Sequence, residues 1–213
     1  MGSHDSSLVT IPVDDVTLEG MLELPPDAPG VVVFAHGSGS SRKSPRNNYV
    51  ADVIRDHGLG TLLFDLLTEA EDQHRENRFD IALLTDRLVG VTEWVREREE
   101  TQDATVGYFG SSTGAAAALR AATHLQDDVE AVVSRGGRVD LASEVLEDVR
   151  AQTLFVVGGA DSQVLALNRE AATRLSCEHD VHVVEGAGHL FEGPGELEEV
   201  ADVAATWFAE AMT

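Results

Sequence analysis

The chain has 213 residues, of which 43% are hydrophobic and 25% charged, as expected of one globular domain. Its 38 acidic residues against 15 Lys and Arg give a formal net charge of −23, which argues against nucleic-acid binding because phosphates would be repelled. No apolar run approaches the ~18 residues of a membrane helix and no signal-peptide pattern is present, so a cytoplasmic protein without membrane contact is expected.

The charge composition is unusual because Lys43 is the only lysine. An acidic chain with almost no lysine resembles proteins of extreme halophiles, in which salt screens the self-repulsion. A GC-rich genome is the alternative; it would explain the scarce lysine but not the acid excess. We therefore expect the protein to lose structure below ~0.5 M KCl.

The pattern along the chain predicts one α/β domain over 5–213, after a tag remnant at 1–4. Segments 8–13 and 16–24 partly alternate in polarity and predict an antiparallel hairpin. Strands and helices then alternate, which predicts a three-layer α/β/α sandwich with a mostly parallel sheet. The predicted strands are 31–35, 61–65, 104–109, 130–133, 153–157 and 181–184, and the predicted helices are 46–57, 79–98, 113–124, 140–148, 164–175 and 196–211. The short connection between 133 and 153 leaves no room for a cap domain, so the site should be open.

A serine nucleophile is predicted within Gly110-Ser111-Ser112-Thr113-Gly114, which joins a predicted strand to a predicted helix. A tight turn in that context lifts the Ser112 hydroxyl above the edge of the sheet. The flanking glycines carry no side chains that could clash in such a turn. The pentapeptide alone is a weak signal, so the remaining residues of a triad are needed to support it.

The order serine, acid, histidine is expected in this architecture, with each residue just past a strand. Asp161 follows the strand at 153–157, and His189 follows the strand at 181–184 in a glycine-rich loop. A neighbouring histidine would activate the serine, and the carboxylate would orient that histidine. Asp161 could instead serve only as a helix N-cap. Asp140 and Glu192 are the rival acids.

An oxyanion hole is predicted after the strand at 31–35, where His36-Gly37-Ser38-Gly39 follows. We assign its donors to the backbone N–H groups of Ser38 and Thr113, the latter being the residue after the nucleophile. His36 is interpreted as a residue that braces this loop.

Three arginines, Arg42, Arg46 and Arg135, follow strand ends or the oxyanion loop and could face the site. A guanidinium suits capture of a carboxylate or phosphate, which predicts a role in substrate binding. The alternative is that these arginines form structural salt bridges with local carboxylates.

Together these motifs resemble the α/β-hydrolase fold and, within it, the dienelactone-hydrolase-like group. Gly37 to Asn47 and Ser134-Arg135-Gly136-Gly137-Arg138 look like a branch of that group sometimes joined to phosphoribosyltransferase-like domains, which makes such a domain a candidate partner. Members typically carry a cysteine nucleophile where this chain has Ser112, so a general esterase is favoured over a lactone-specific enzyme.

The sequence therefore predicts a serine hydrolase of small carboxylic esters or lactones that needs no cofactor or metal. Thioesterase, peptidase or acyl-transfer activity on the same site is one alternative, and a non-catalytic binding module is another. No sequence pattern indicates the oligomeric state.

Overall fold

The computed structural model describes residues 5–212. The tag remnant predicted at 1–4 therefore lies outside the described residues. Among residues 5–212, no helix combines the length and apolar character needed to cross a membrane.

Within residues 5–212, the strands are β1 (Asp5–Val13), β2 (Val16–Leu24), β3 (Gly30–Ala35), β4 (Gly60–Phe64), β5 (Thr105–Ser111), β6 (Ala131–Arg135), β7 (Gln152–Gly158) and β8 (His179–Val184). These eight strands form one sheet in the order β1-β2-β4-β3-β5-β6-β7-β8. β1 and β2 form an antiparallel hairpin, and β2 also pairs antiparallel with β4. The remaining neighbours in the sheet pair in parallel. The predicted hairpin and mostly parallel sheet are therefore confirmed.

Helices cover both faces of the sheet and create two apolar cores. One core lies beneath the helices at 81–97, 113–125 and 162–172. The other core lies beneath the helices at 45–56 and 196–211. The central strand β3 is buried along its whole length because helices cover both of its faces. The helices are α1 (Pro45–Asp56), α2 (Glu69–Asp72), α3 (Ile81–Glu97), α4 (Thr113–Leu125), α5 (Ser162–Ala172) and α6 (Glu196–Ala211).

The predicted α-helix at 140–148 is wrong in type. Val139–Asp148 forms 3₁₀ turns, and Ala142 leaves helical geometry at φ −119°, which prevents continuous α-helical hydrogen bonding through the segment. The connection between β6 and β7 holds no cap domain, as expected.

Two differences at strand ends bear on the site. β5 continues to Ser111 and β6 continues to Arg135, beyond the predicted ends at 109 and 133, and the register pairs these two residues. A short helix at Glu69–Asp72 was not predicted; it begins at a capping box formed by Thr68 and Glu71.

Candidate active site

Ser112 occupies the sharp turn between β5 and α4. Its backbone has φ 49° and ψ −117°, a strained conformation for a residue with a side chain. A Cβ on Gly114 would lie 2.1 Å from the carbonyl oxygen of Ala35, and one on Gly110 would lie 2.5 Å from Cα of Ala115. Glycine is therefore required on both sides of the turn for steric reasons. This is the local geometry that exposes a serine hydroxyl above a parallel sheet.

The backbone groups of Ser112 bind the last residue of β6 and the loop that follows this strand. The Ser112 N–H donates to the carbonyl of Arg135 at 3.2 Å, and the Arg138 N–H donates to the carbonyl of Ser112 at 3.0 Å. Strained backbone persists only where its surroundings hold it, and these two bonds supply part of that restraint.

Asp161 and His189 are in direct contact, although 28 positions separate them in sequence. Oδ2 of Asp161 lies 2.7 Å from Nδ1 of His189. Asp161 occupies the N-cap position of α5, but its side chain makes no capping hydrogen bond. The carboxylate therefore binds the imidazole instead of the helix end, and in the neutral ring it favours the tautomer with the proton on Nδ1.

The His189 ring lies against the start of the loop that follows β6, close to the backbone that binds Ser112. A Cβ built on Gly136 would be 3.3 Å from Cε1 of His189, and Gly136 follows the residue that accepts the Ser112 N–H. Within residues 5–212, the hydrogen bonds include none between the Ser112 hydroxyl and His189. Such bonds are often long in free hydrolases and shorten when substrate binds.

The two residues chosen for the oxyanion hole contact each other. The Ser38 N–H donates to Oγ1 of Thr113 at 3.1 Å, so the predicted donor is occupied by a hydroxyl here. Gly37 lies close to the nucleophile, since a Cβ on it would be 3.2 Å from Cβ of Ser112. The sequence did not indicate that the Thr113 hydroxyl would meet Ser38, because that contact depends on how α4 packs against the loop.

His36 is buried and braces the oxyanion loop, as expected. Nε2 accepts the Leu66 N–H at 3.0 Å, and Nδ1 lies 3.0 Å from the Gly37 carbonyl oxygen. These partners require a neutral ring with its proton on Nδ1. Burial lowers the pKa of His36 and favours that neutral form, while the bond to Gly37 acts in the opposite direction.

The rival acids have other partners. Both Asp140 carboxylate oxygens accept hydrogen bonds from Arg138 at 2.9 Å, and this pairing holds the pKa of Asp140 below its usual value. Glu192 forms an exposed ion pair with Arg46 at 3.5 Å. The structure brings neither carboxylate to His189.

The three predicted arginines differ in their surroundings. Arg42 is paired with Asp65 and with Glu19, which is the structural alternative left open by the sequence. Arg46 is partly exposed and pairs with Glu192. Arg135 has no carboxylate within 4.0 Å among the described residues, and its Nη1 is fully buried without a hydrogen-bond partner.

Burial and the nearby Arg46 together lower the pKa of Arg135 to about 10. The residue as a whole is only partly covered, so its buried Nη1 and its accessible surface belong to different parts of one side chain.

Across residues 5–212 there is no cluster of three His, Cys, Asp or Glu side chains that could hold a metal ion. Cys177 is half-buried, and burial raises the pKa of its thiol, which disfavours the thiolate form of a nucleophile.

Two curated relatives from Mycobacterium tuberculosis strains, both described as "Putative phosphoribosyl transferase", are each 52% identical over 204 residues. The match covers 96% of this chain and 46% of each relative, so the chain spans about half their length.

A crystal structure of dienelactone hydrolase from Anabaena variabilis is 48% identical with a TM-score of 0.97, and the match covers 99% of both chains. Est1E from Butyrivibrio proteoclasticus has a TM-score of 0.83 at 14% identity, covering 97% of this chain and 99% of that one, which supports the fold alone. The sequence model described as "Dienelactone hydrolase family" matches residues 18–212. The chain belongs to the dienelactone hydrolase family.

Proposed function

We propose that the protein hydrolyses small carboxylic esters or lactones through an acyl-enzyme on Ser112. The observation that carries this proposal is the 2.7 Å contact between Asp161 and His189. Both residues follow the C-terminal ends of strands, as does Ser112 in its strained turn. The family is one of hydrolases, and its structural relatives include esterases.

In the first half of the proposed reaction, the Ser112 oxygen attacks the ester carbonyl while Nε2 of His189 takes its proton. The C–O bond then breaks, and His189 returns the proton to the leaving alcohol. Asp161 stabilises the cationic imidazole that forms between these two transfers. His189 then deprotonates a water, which attacks the acyl carbon. The bond from that carbon to the Ser112 oxygen breaks, and His189 returns the proton to this oxygen, which releases the carboxylic acid and restores Ser112.

The developing oxyanion is assigned to the N–H groups of Ser38 and Thr113. Because the Ser38 N–H already contacts the Thr113 hydroxyl, the oxyanion has to displace that hydroxyl or accept a hydrogen bond from it. Each donor should contribute about 3 kcal/mol to lowering the barrier.

The substrate should be small and reach the site from an open face. Ser112 is half-buried, and the His189 side chain is 41% exposed, with no cap domain above them in the part of the chain that the structure describes. Thioesters, amides and acyl acceptors other than water remain alternatives on the same residues, as does a non-catalytic binding role.

The name of the mycobacterial relatives gives no argument for phosphoribosyl transfer by this chain, because the matched part is the same part that matches the hydrolase family. The same name is the one reason to propose a phosphoribosyltransferase-like protein or domain as a partner.

The test is hydrolysis of p-nitrophenyl acetate and butyrate and of a small lactone by the wild type, Ser112→Ala and Ser111→Ala. Ser111 is the matched control because it lies in the same pentapeptide and contacts Asn47 instead of the triad. Loss of turnover in Ser112→Ala alone supports the proposal. Equal turnover in all three proteins would refute it.

A further inference from the structure

Two arginines lie near the nucleophile: Arg135 at the end of β6, whose carbonyl accepts the Ser112 N–H, and Arg46 in the first turn of α1. Parallel neighbours in register carry their side chains on the same face of the sheet. Ser111 is in register with Arg135, and its hydroxyl is directed to Asn47 in the first turn of α1. Arg135 therefore extends toward the start of α1, where Arg46 is close enough to lower its pKa.

This placement is costly for the free protein. A buried guanidinium loses hydration, and a like charge nearby adds repulsion. Among the described residues no carboxylate pairs with Arg135, and its Nη1 has no hydrogen-bond acceptor. By contrast Arg138, in the loop after β6, donates two hydrogen bonds to the carboxylate of Asp140.

Two further features favour an anion at this point. The first turn of α1 begins at Pro45 and carries the partial positive charge of a helix N-terminus. Within residues 5–212, the one carboxylate paired with Arg46 is that of Glu192, at 3.5 Å with 69% of its side chain exposed, and such surface pairs contribute little.

The groove on the other side of the oxyanion loop has the opposite character. It has a volume of about 470 Å³ and contains the Arg42 ion pairs. Its carboxylates outnumber its basic groups, because Glu19, Asp65, Glu69 and Asp72 line it with only Arg42 and Lys43 to balance them. The charge balance of this groove therefore disfavours an anionic group of a substrate there.

We infer that Arg135 and Arg46 form a subsite for a doubly charged phosphate group carried by the ester substrate. This inference rests on the proposed function, since it assumes that an ester is cleaved at Ser112. The phosphate remains intact and only orients the substrate. Two guanidiniums match the charge of a phosphate dianion, and the arginine fork suits paired contacts to its oxygens. A carboxylate could use the same donors, but it would neutralise only one of the two charges.

The test compares three aryl acetates that differ only in one ring substituent: none, a carboxylate or a phosphate. The proteins are the wild type, Arg135→Gln, Arg46→Gln and Arg150→Gln. Arg150 is the matched control because it is 65% exposed and precedes β7, at the opposite end of the sheet. The same substrates are used throughout at one fixed KCl concentration, so differences in leaving-group reactivity cancel between proteins.

In Arg135→Gln, the ratio of kcat/KM for the phosphorylated ester to that for the neutral ester should fall about tenfold or more, the effect of losing one charge-assisted hydrogen bond. Arg46→Gln should lower the same ratio by less, and Arg150→Gln should leave it unchanged. A ratio unchanged in Arg135→Gln, or an equally large loss for the carboxylate ester, would overturn the phosphate subsite.

A binding measurement separates failure of this inference from failure of the proposed function. Inorganic phosphate is titrated into the wild type and both arginine variants, followed by calorimetry, with no turnover required. Binding that weakens about tenfold in Arg135→Gln supports the subsite even if no ester is hydrolysed. If Arg135→Gln fails to fold, Arg46→Gln gives the answer, and equal phosphate binding in the wild type and Arg46→Gln would contradict the subsite.

Discussion

The carboxylate of Asp161 stands at the N-cap of α5 but binds His189 instead of the helix end. An aspartate at that position usually accepts a hydrogen bond from an N–H of the first helical turn, which stabilises the helix by about 1 kcal/mol. Here that contribution is absent. The Asp161 side chain contacts the imidazole instead and is 16% exposed. The arrangement supports the proposed role of Asp161 in orienting His189.

Replacing Asp161 should therefore reduce catalysis without unfolding the protein. Asp161→Asn keeps the shape but can present its amide N–H to Nδ1, which favours the wrong tautomer of His189. We expect kcat to fall by ~10³–10⁴, as is typical when the triad acid is replaced. The control is Asp140→Asn, the rival acid, in steady-state assays on one ester. An equal loss in both variants would remove Asp161 from its assigned role.

The contact between Ser38 and Thr113 gives a second prediction. Thr113→Val preserves volume but removes the acceptor of the Ser38 N–H, which frees the oxyanion loop. We expect kcat to fall about tenfold, less than the ~10²–10³ of deleting an oxyanion donor outright. Thr113→Ser keeps the hydroxyl and should retain more activity than Thr113→Val. If the two variants were equally active, the hydroxyl would have no positioning role.

His36 predicts a pH dependence of stability. Its pKa is lowered by burial from the ordinary value of 6.5, so below pH 6.5 the unfolded chain binds a proton that the folded protein does not. The stability that the neutral His36 contributes should therefore be complete above pH 6.5. It should be lost as the pH falls from 6.5 toward the lowered pKa that His36 has in the folded protein. The slope from this one group is at most about 1.4 kcal/mol per pH unit.

The measurement is urea unfolding of the wild type and His36→Asn at several pH values between 5 and 8. The variant will be less stable at neutral pH, because it loses the bracing of the loop. Its stability should depend less on pH in the acidic part of the range. Parallel curves for the two proteins would show that His36 does not titrate as described.

Salt should stabilise the fold strongly. The net charge of −23 is what remains after every lysine and arginine has been counted, so ion pairs within the chain leave this repulsion unbalanced. Salt screens it, because the Debye length shrinks to about 3 Å at ~1 M salt. The thermal midpoint should therefore rise continuously as KCl increases from 0.1 M to several molar. A midpoint independent of KCl would contradict both this prediction and the resemblance to halophilic proteins.

The sequence predicted the sheet and its hairpin because strand and helix periodicities are local. The pentapeptide around Ser112 was also readable, since its glycines are dictated by close contacts with Ala35 and Ala115. The strand-end pairing of Ser111 with Arg135 was not, because the register depends on how two distant strands align. For the same reason, the sequence could not say which of the three arginines would lack a carboxylate.

The most direct measurement is labelling with a fluorophosphonate, which reacts with an activated serine, followed by mass spectrometry to locate the adduct. The wild type, Ser112→Ala, Ser111→Ala and His189→Ala are compared in molar KCl. The proposed triad predicts one adduct on Ser112, absent in Ser112→Ala, retained in Ser111→Ala and greatly slowed in His189→Ala. No adduct on the folded wild type, or an adduct on another residue, would contradict it.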